Sequence, residues 1–420
     1  MSNYDKYEAV IGLEVHAQLL TQSKLFCGDS AAFGAAPNTH ISEITLAYPG
    51  TLPKLNKEAA TLAIRLGLAC NCRIERKNYF ARKNYFYPDL PKGYQVSQHT
   101  TPICVGGHVA IQTATGERNV ILNRIHIEED AGKSIHDADE NYTCVDYNRA
   151  GVPLVEIVTE PDINTADEAY AYVTELRKLV RYLNVCDGNM EEGSLRCDAN
   201  VSIRLKGEKN LGTKVEVKNL NSIRNVKKAI EYEIKRMIDI VESGGTIIQQ
   251  TRSFDAATDT TFAMRDKEEA NDYRYFADPD LPPFIITDAE IDSINKAMPA
   301  LPNILKEKYK TQYGLTEYDA SVITDDKETI SSYEALIKQS SHYKAAANWL
   351  LGPVKSYCNE KGITAAAFPL TPEALTSLIQ LVEDGQCSFS VASSRLLQAM
   401  LETGKTDALA VATALNLLQN

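Results

Sequence analysis

The sequence predicts an α+β protein: antiparallel sheets with one polar face, followed by an all-helical region. Three observations predict it. Several segments alternate apolar and polar residues with a period of two. Segments with helical spacing separate them. Beyond a Pro-rich break the alternation stops and helical spacing continues. Strands that alternate cleanly bury one face only, which favours antiparallel pairing.

Tyr7–Leu20 (YEAVIGLEVHAQLL) sets Ile11, Leu13, Val15 and Ala17 against Gly12, Glu14, His16 and Gln18. Lys57–Leu68 reads as a helix. In Val120–Glu129, Arg124, His126 and Glu128 oppose Ile125 and Ile127, and Glu129 falls on the apolar side. Val152–Thr159 carries Glu156 between Leu154 and Val158 on one face. Ala166–Val185 repeats Leu176, Leu179, Val180 and Leu183 at helical spacing. Ser194–Arg204 sets Arg196, Asp198 and Asn200 against Leu195, Cys197, Ala199 and Val201. Thr213–Lys218 sets Lys214, Glu216 and Lys218 against Val215 and Val217. Asn221–Ser243 is a third helix, capped by Ser222 and stopped by Gly244-Gly245. Asp278–Pro283 (DPDLPP) continues neither a helix nor a central strand. From about Asp288 the chain reads as helical, with Thr371-Pro372-Glu373 a further helix start.

A chain of 420 residues exceeds one ordinary core and predicts two or three domains. With 44% hydrophobic and 24% charged residues it has a globular composition. No apolar run reaches membrane-spanning length, and the N-terminus lacks the pattern of a secretory signal. The nine cysteines include no C-x-x-C; Cys70 and Cys72 are the nearest pair. A disulfide framework or zinc ribbon is thereby disfavoured, and a reducing cytoplasm is expected. The net charge of -12 lacks the basic footprint of a nucleic-acid binder, so any RNA affinity would come from a local patch or a partner.

The polar faces point to chemistry. Solvated outer faces are the plain reading of any one strand, but Asp and Asn are depleted in strands and recur here. Glu129 and Glu156 sit where a leucine would pack, which is costly unless a cation or hydrogen bonds compensate. Several carboxylates with one histidine favour magnesium over zinc. Arginine and lysine on the same sheet suit phosphate. The combination suggests a site for a magnesium nucleotide. It is not a P-loop: Ile127 stands five positions before Gly132-Lys133-Ser134, where a glycine is required. No G-x-G-x-x-G or nucleophile elbow occurs. Two aromatic stretches, Asn84–Gln98 and Asp272–Pro283, carry charged residues among tyrosines, as loops lining sites often do.

Seven segments resemble the B subunit of the aspartyl/glutamyl-tRNA(Asn/Gln) amidotransferase family. They are VIGLEVHAQL (Val10–Leu19), RKNYFYPDLPKGYQVSQ (Arg82–Gln98), RIHIEEDAGKS (Arg124–Ser134), NRAGVPLVEIVTEPD (Asn148–Asp162), MEEGSLRCDANVSIR (Met190–Arg204), TKVEVKNLNS (Thr213–Ser222) and DYRYFADPDLPP (Asp272–Pro283). They span about the first 280 residues. The resemblance implies a glutamine synthetase-like cradle with antiparallel sheets over residues 1–290. A helical domain is implied over 291–410, and 411–420 as the start of a tail domain that touches tRNA. It implies phosphorylation, by ATP and magnesium, of the side-chain carboxylate of Glu or Asp misacylated on tRNA. Amidation would follow, by ammonia from the family's glutaminase, its A subunit; a C subunit is a further partner, and no membrane is implied. By the same resemblance Glu14, His16, Glu129 and Glu156 match the metal-binding region, with His16 and Glu129 foremost. Spacing alone does not separate Glu128 from Glu129. Arg196, Asp198, Asn200, Lys214 and Glu216 match the floor of the phosphorylation pocket, and Lys83, Asp89 and Lys92 a nucleotide-binding loop. Some family members carry a zinc knob with two cysteine pairs; here Cys27 remains and LAYPGTLP (Leu46–Pro53) stands in the second position, so no zinc is expected. The competing reading is a non-catalytic scaffold for tRNA and partner subunits. Under it, changing Glu14, His16 and Glu129 together would leave amidation unaffected.

Overall fold

The structure, a computed structural model, describes residues 3–137, 139–266 and 273–419. Asp272, which opens the second aromatic stretch, and Asn420 lie outside them. The chain divides into two compact units, Met1–Met298 and Pro299–Asn420.

The first unit is α+β. Its main strands are β1 (Tyr7–Gln18), β4 (Gly116–Glu129), β5 (Pro153–Thr159), β6 (Leu195–Leu205), β7 (Val215–Leu220), β8 (Gln250–Asp255) and β9 (Thr260–Asp266). They lie in the order β9-β8-β7-β6-β1-β5-β4 within a ten-stranded sheet, completed by short strands Arg73–Ile74, Cys104–Val105 and His108–Thr113. A separate three-stranded sheet is formed by β2 (Ala81–Asn84), β3 (Tyr94–Ser97) and β10 (Arg274–Ala277), with β2 in the middle. The central pairings β6-β1-β5-β4 are antiparallel, as the alternation predicts. One pair departs from it: β7 and β8 run parallel, Glu216 opposite Thr251. Parallel strands need a long crossover, and the helix between them supplies it.

That helix is α3 (Ile223–Glu242), preceded in the chain by α1 (Lys57–Ala69) and α2 (Ala166–Tyr182). Ser222 caps α3 by accepting the Asn225 N–H. Gly244 ends it with φ of 81°, a left-handed conformation that costs glycine little. The apolar faces of α2 (Tyr172, Val173, Leu176, Val180) and α3 (Val226, Ile230, Met237) are buried, with α3 packed on β6 and on α2. Leu13, Val15, Val155, Ile157, Ile125, Ile127 and Val201 form the buried face of the sheet. The opposite face carries the polar residues of the alternation. Helix α4 (Asp288–Ala297), started by a Thr287/Glu290 capping box, also belongs to the first unit.

The second unit is helical, from α5 (Pro302–Thr311) through α6 (Glu317–Ile323), α7 (Lys327–Ile337) and α8 (Tyr343–Trp349) to a last helix Ala408–Ala414. Its core includes Trp349, Tyr309 and Tyr333. Helix Pro372–Glu383 begins at Thr371, whose side chain accepts the Ala374 N–H. Residues 408–419 are tied into this unit: the Ala408 N–H donates to Ser377 Oγ, and the Gln419 N–H to the Gln386 carbonyl. Among the described residues no helix is long and apolar enough to cross a membrane. All nine cysteines are free thiols.

Candidate active site

The pairing register brings one residue from each of four strands into a row across the polar face. Arg196 (β6) opposes His16 (β1), His16 opposes Glu156 (β5), and Glu156 opposes His126 (β4). Opposed side chains on one face of a sheet lie about 5 Å apart at Cβ, so these four meet although 180 residues separate His16 from Arg196. His16 Nε2 stands 3.6 Å and His126 Nε2 3.3 Å from Glu156 Oε2. Glu128, two residues along β4 from His126, adds its Oε1 at 3.1 Å from His126 Nε2.

Of the row and its neighbour, His16, Glu128 and Glu156 offer ligand atoms that all lie within 4.8 Å of one another. One imidazole and two carboxylates, Glu128 buried and His16 and Glu156 half-buried, are a donor set that fits a hard divalent cation. Burial opposes the charged form of each group, but mutual attraction overrides it. Glu156, beside His126 and His16, is held well below the usual carboxylate range. Glu128, hydrogen-bonded to His126, is also lowered. His126 is pushed up to about 9 by the charge of Glu156 and the bond to Glu128, and His16 is raised by its contact with Glu156.

Lys83 faces the same cluster from β2. Burial works against its charge, but Glu128, Tyr275 and Glu156 raise its pKa, and its Nζ lies 4.8 Å from the ring centre of Tyr273. On the other side of β1, Asn200 Nδ2 donates to Glu14 Oε1 at 2.9 Å. Burial raises the Glu14 carboxyl, with Glu156, Glu216 and Asp198 adding repulsion. Lys218 Nζ donates to Asp198 at 2.6 Å and pairs with Glu216 at 2.9 Å, and these carboxylates raise its pKa against the cost of burial. Thr251 Oγ1 donates to Glu216 at 3.1 Å. Arg196 Nη2 reaches Asp130 Oδ2 at 3.0 Å, where Gln18 Nε2 also donates at 2.7 Å.

The structure thus gathers His16, Glu156, Lys83 and Arg196 around one cluster, with Glu14 farther along β1, Asp198 and Asn200 farther along β6, and Glu216 on β7. Four expectations end elsewhere or alter. Glu129 is turned from the cluster: Lys92 Nζ donates to both its oxygens at 2.5 Å and the Val96 N–H to Oε1 at 2.8 Å. Its neighbour Glu128 occupies the cluster, because successive strand residues point to opposite faces. Lys92 is accordingly engaged by Glu129 on that other side, where a cavity of about 260 Å3 is lined by Lys24, Tyr94, Asp278 and Asp280 among others. Lys214 precedes β7 and is exposed; Lys218 stands between Asp198 and Glu216 instead. Asp89 is half-buried in the β2–β3 connection, and the Gly132 N–H donates to its backbone carbonyl. His126, Glu128 and Lys218 were legible as members of polar strand faces, and the alternation carried the signal that groups Glu128 with His126.

Comparison with known proteins identifies the family. Residues 9–292 match the model of the GatB/GatE catalytic domain, and residues 331–420 that of the GatB domain. The chain is 50% identical over 398 residues to the aspartyl/glutamyl-tRNA(Asn/Gln) amidotransferase B subunit of Chlorobium phaeobacteroides (strain BS1), covering 95% of this chain and 83% of that protein. It is 50% identical over 401 residues to the protein of the same name from Thermodesulfovibrio yellowstonii, covering 96% and 84%. A relative of that name from Thermoanaerobacter sp. (strain X514) is 50% identical over 400 residues, covering 95% and 84%. With matches of this length and identity, the chain belongs to the family of aspartyl/glutamyl-tRNA(Asn/Gln) amidotransferase B subunits.

Proposed function

We propose that this chain phosphorylates the side-chain carboxylate of Glu-tRNA(Gln), Asp-tRNA(Asn) or both with ATP. It then amidates the product with ammonia from a partner glutaminase (the A subunit) in a cytoplasmic complex that also holds a C subunit. The observation that carries the reading is the row Arg196–His16–Glu156–His126 with Glu128 and Lys83 beside it. It joins ligands for a cation to side chains that hold phosphate, on the polar face expected of a glutamine synthetase-like cradle.

The chemistry needs positioning more than a protein nucleophile. A carboxylate is a poor electrophile, since its leaving group would be oxide. A carboxylate oxygen of the substrate attacks the γ-phosphorus of ATP, and ADP leaves. The nitrogen of ammonia then attacks the acyl carbon, phosphate leaves, and the nitrogen loses a proton. His16, Glu128 and Glu156 would hold Mg2+, which neutralises phosphate charge when bound. Lys83 and Arg196 approach as cations able to hold transferred phosphate. Lys218 orients Asp198 and Glu216, and Asn200 orients Glu14, on the pocket floor.

The test is an assay of the chain co-purified with the A and C subunits, supplied with ATP, Mg2+, glutamine and each misacylated tRNA. ATP cleavage coupled to Gln-tRNA or Asn-tRNA formation is expected, with Glu128→Ala lowering turnover roughly 100-fold or more. A complex that binds tRNA without cleaving ATP would overturn the reading and favour a scaffold.

A further inference from the structure

We infer that Ser97 and Gln95, on strand β3 of the small sheet, are positioning residues that set the cation affinity of the main-sheet cluster through Glu128. The inference rests on the reading of His16, Glu128 and Glu156 as cation ligands.

Glu128 is reached from two sheets. Ser97 Oγ donates to its Oε1 at 2.6 Å, the same oxygen that faces His126 Nε2 at 3.1 Å. Gln95 Nε2 donates to Oε2 at 3.1 Å. Gln95 is itself fixed, because the same amide nitrogen donates to the Glu129 backbone carbonyl at 2.8 Å. Ser97 is 3% and Gln95 9% exposed, so water does not readily replace either donor. A carboxylate has about four acceptor sites. Among the described residues, three of those on Glu128 are engaged, and the one left open is on Oε2.

A glutamate side chain has three rotatable bonds, and His126 alone would not fix the plane of its carboxylate. Donors on both oxygens do. They hold the group turned towards His16 and Glu156 before a cation arrives, which removes an ordering cost from binding. Gln95 and Ser97 lie two residues apart on one strand, so they share a face. Tyr94 and Val96 alternate with them and line the cavity beside Glu129. One strand therefore orients the two neighbouring glutamates separately: Glu128 by the side chains of Gln95 and Ser97, Glu129 by the Val96 N–H. Groups that orient metal ligands in this way typically change metal affinity 10- to 100-fold when removed.

The experiment is titration of the full chain with Mn2+, followed by electron paramagnetic resonance, beside thermal unfolding in EDTA. Wild type binds one Mn2+, and Glu128→Gln abolishes that site. Ser97→Ala and Gln95→Met each raise the Mn2+ dissociation constant by roughly 10- to 100-fold. Val96→Ala shortens a buried side chain of the same strand without removing a bond to Glu128, and leaves the constant unchanged. Unchanged constants in Ser97→Ala and Gln95→Met, with Glu128→Gln still abolishing binding, overturn the inference alone. An increase in Val96→Ala equal to that in Ser97→Ala also overturns it, since the effect is then general loosening. Wild-type binding by Glu128→Gln overturns the cation-site reading itself.

Discussion

Glu128 and Glu129 leave strand β4 in opposite directions, and each meets a different cation. Glu128 joins His126 and the cluster; Glu129 takes Lys92, 37 positions earlier in the chain. Both glutamates are almost fully buried, but Lys92 keeps 20% of its side-chain exposure. Glu129→Gln is therefore expected to destabilise the first unit by roughly 1–3 kcal/mol, less than the loss of one partner from a wholly buried pair, and thermal unfolding checks it. His126 adds a pH dependence. Its ordinary value is about 6.5, and Glu156 and Glu128 lift it to about 9 despite burial. A raised pKa means that the folded state holds the proton more tightly. The stabilisation is complete below about pH 6.5 and is lost as the pH rises through about 9. In EDTA the melting temperature of the first unit should fall across that window, and His126→Gln should flatten the slope.

At the scale of elements, local chemistry accounts for where helices begin and end. Ser222, Thr287 and Thr371 each accept a backbone N–H at a helix start, and Thr287 and Glu290 complete a reciprocal box. Thr287→Ala should cost about 1 kcal/mol of stability by denaturant unfolding. The buried face of α2 matters more. Leu176 is fully buried, so Leu176→Ala should cost about 2–5 kcal/mol while leaving Mn2+ affinity intact, because the helix covers the face opposite the site. The parallel β7–β8 pair shows where alternation stops being informative. Alternation reports which residues share a face; it favours antiparallel pairing without fixing the direction of any one strand. Direction came from the crossover helix α3.

At the scale of the molecule, the two units predict two calorimetric transitions. Mg-ATP at about 100 times its dissociation constant should raise the stability of the first unit by about 2.7 kcal/mol, with EDTA reversing the gain and the other transition unmoved. Movement of the second transition alone would assign the nucleotide to the helical unit. Much of this molecule was legible in the sequence. Its α+β class, the polar faces of β1, β4, β5, β6 and β7, the caps and the family follow from patterns contained within single segments. His16, Glu156, Arg196 and Asp198 were readable as candidates for the same reason. What the tertiary structure decided is which of them meet. A period of two assigns a side chain to a face but says nothing of the strand beside it. Register depends on pairing between segments far apart in the chain, and a slip of one residue would send each side chain to the other face. Pairing set Glu156 between His16 and His126, brought β3 over Glu128, turned Glu129 to Lys92, and put Lys218 rather than Lys214 between Asp198 and Glu216. Those contacts are long-range, and charge and burial select them only once the sheets have formed.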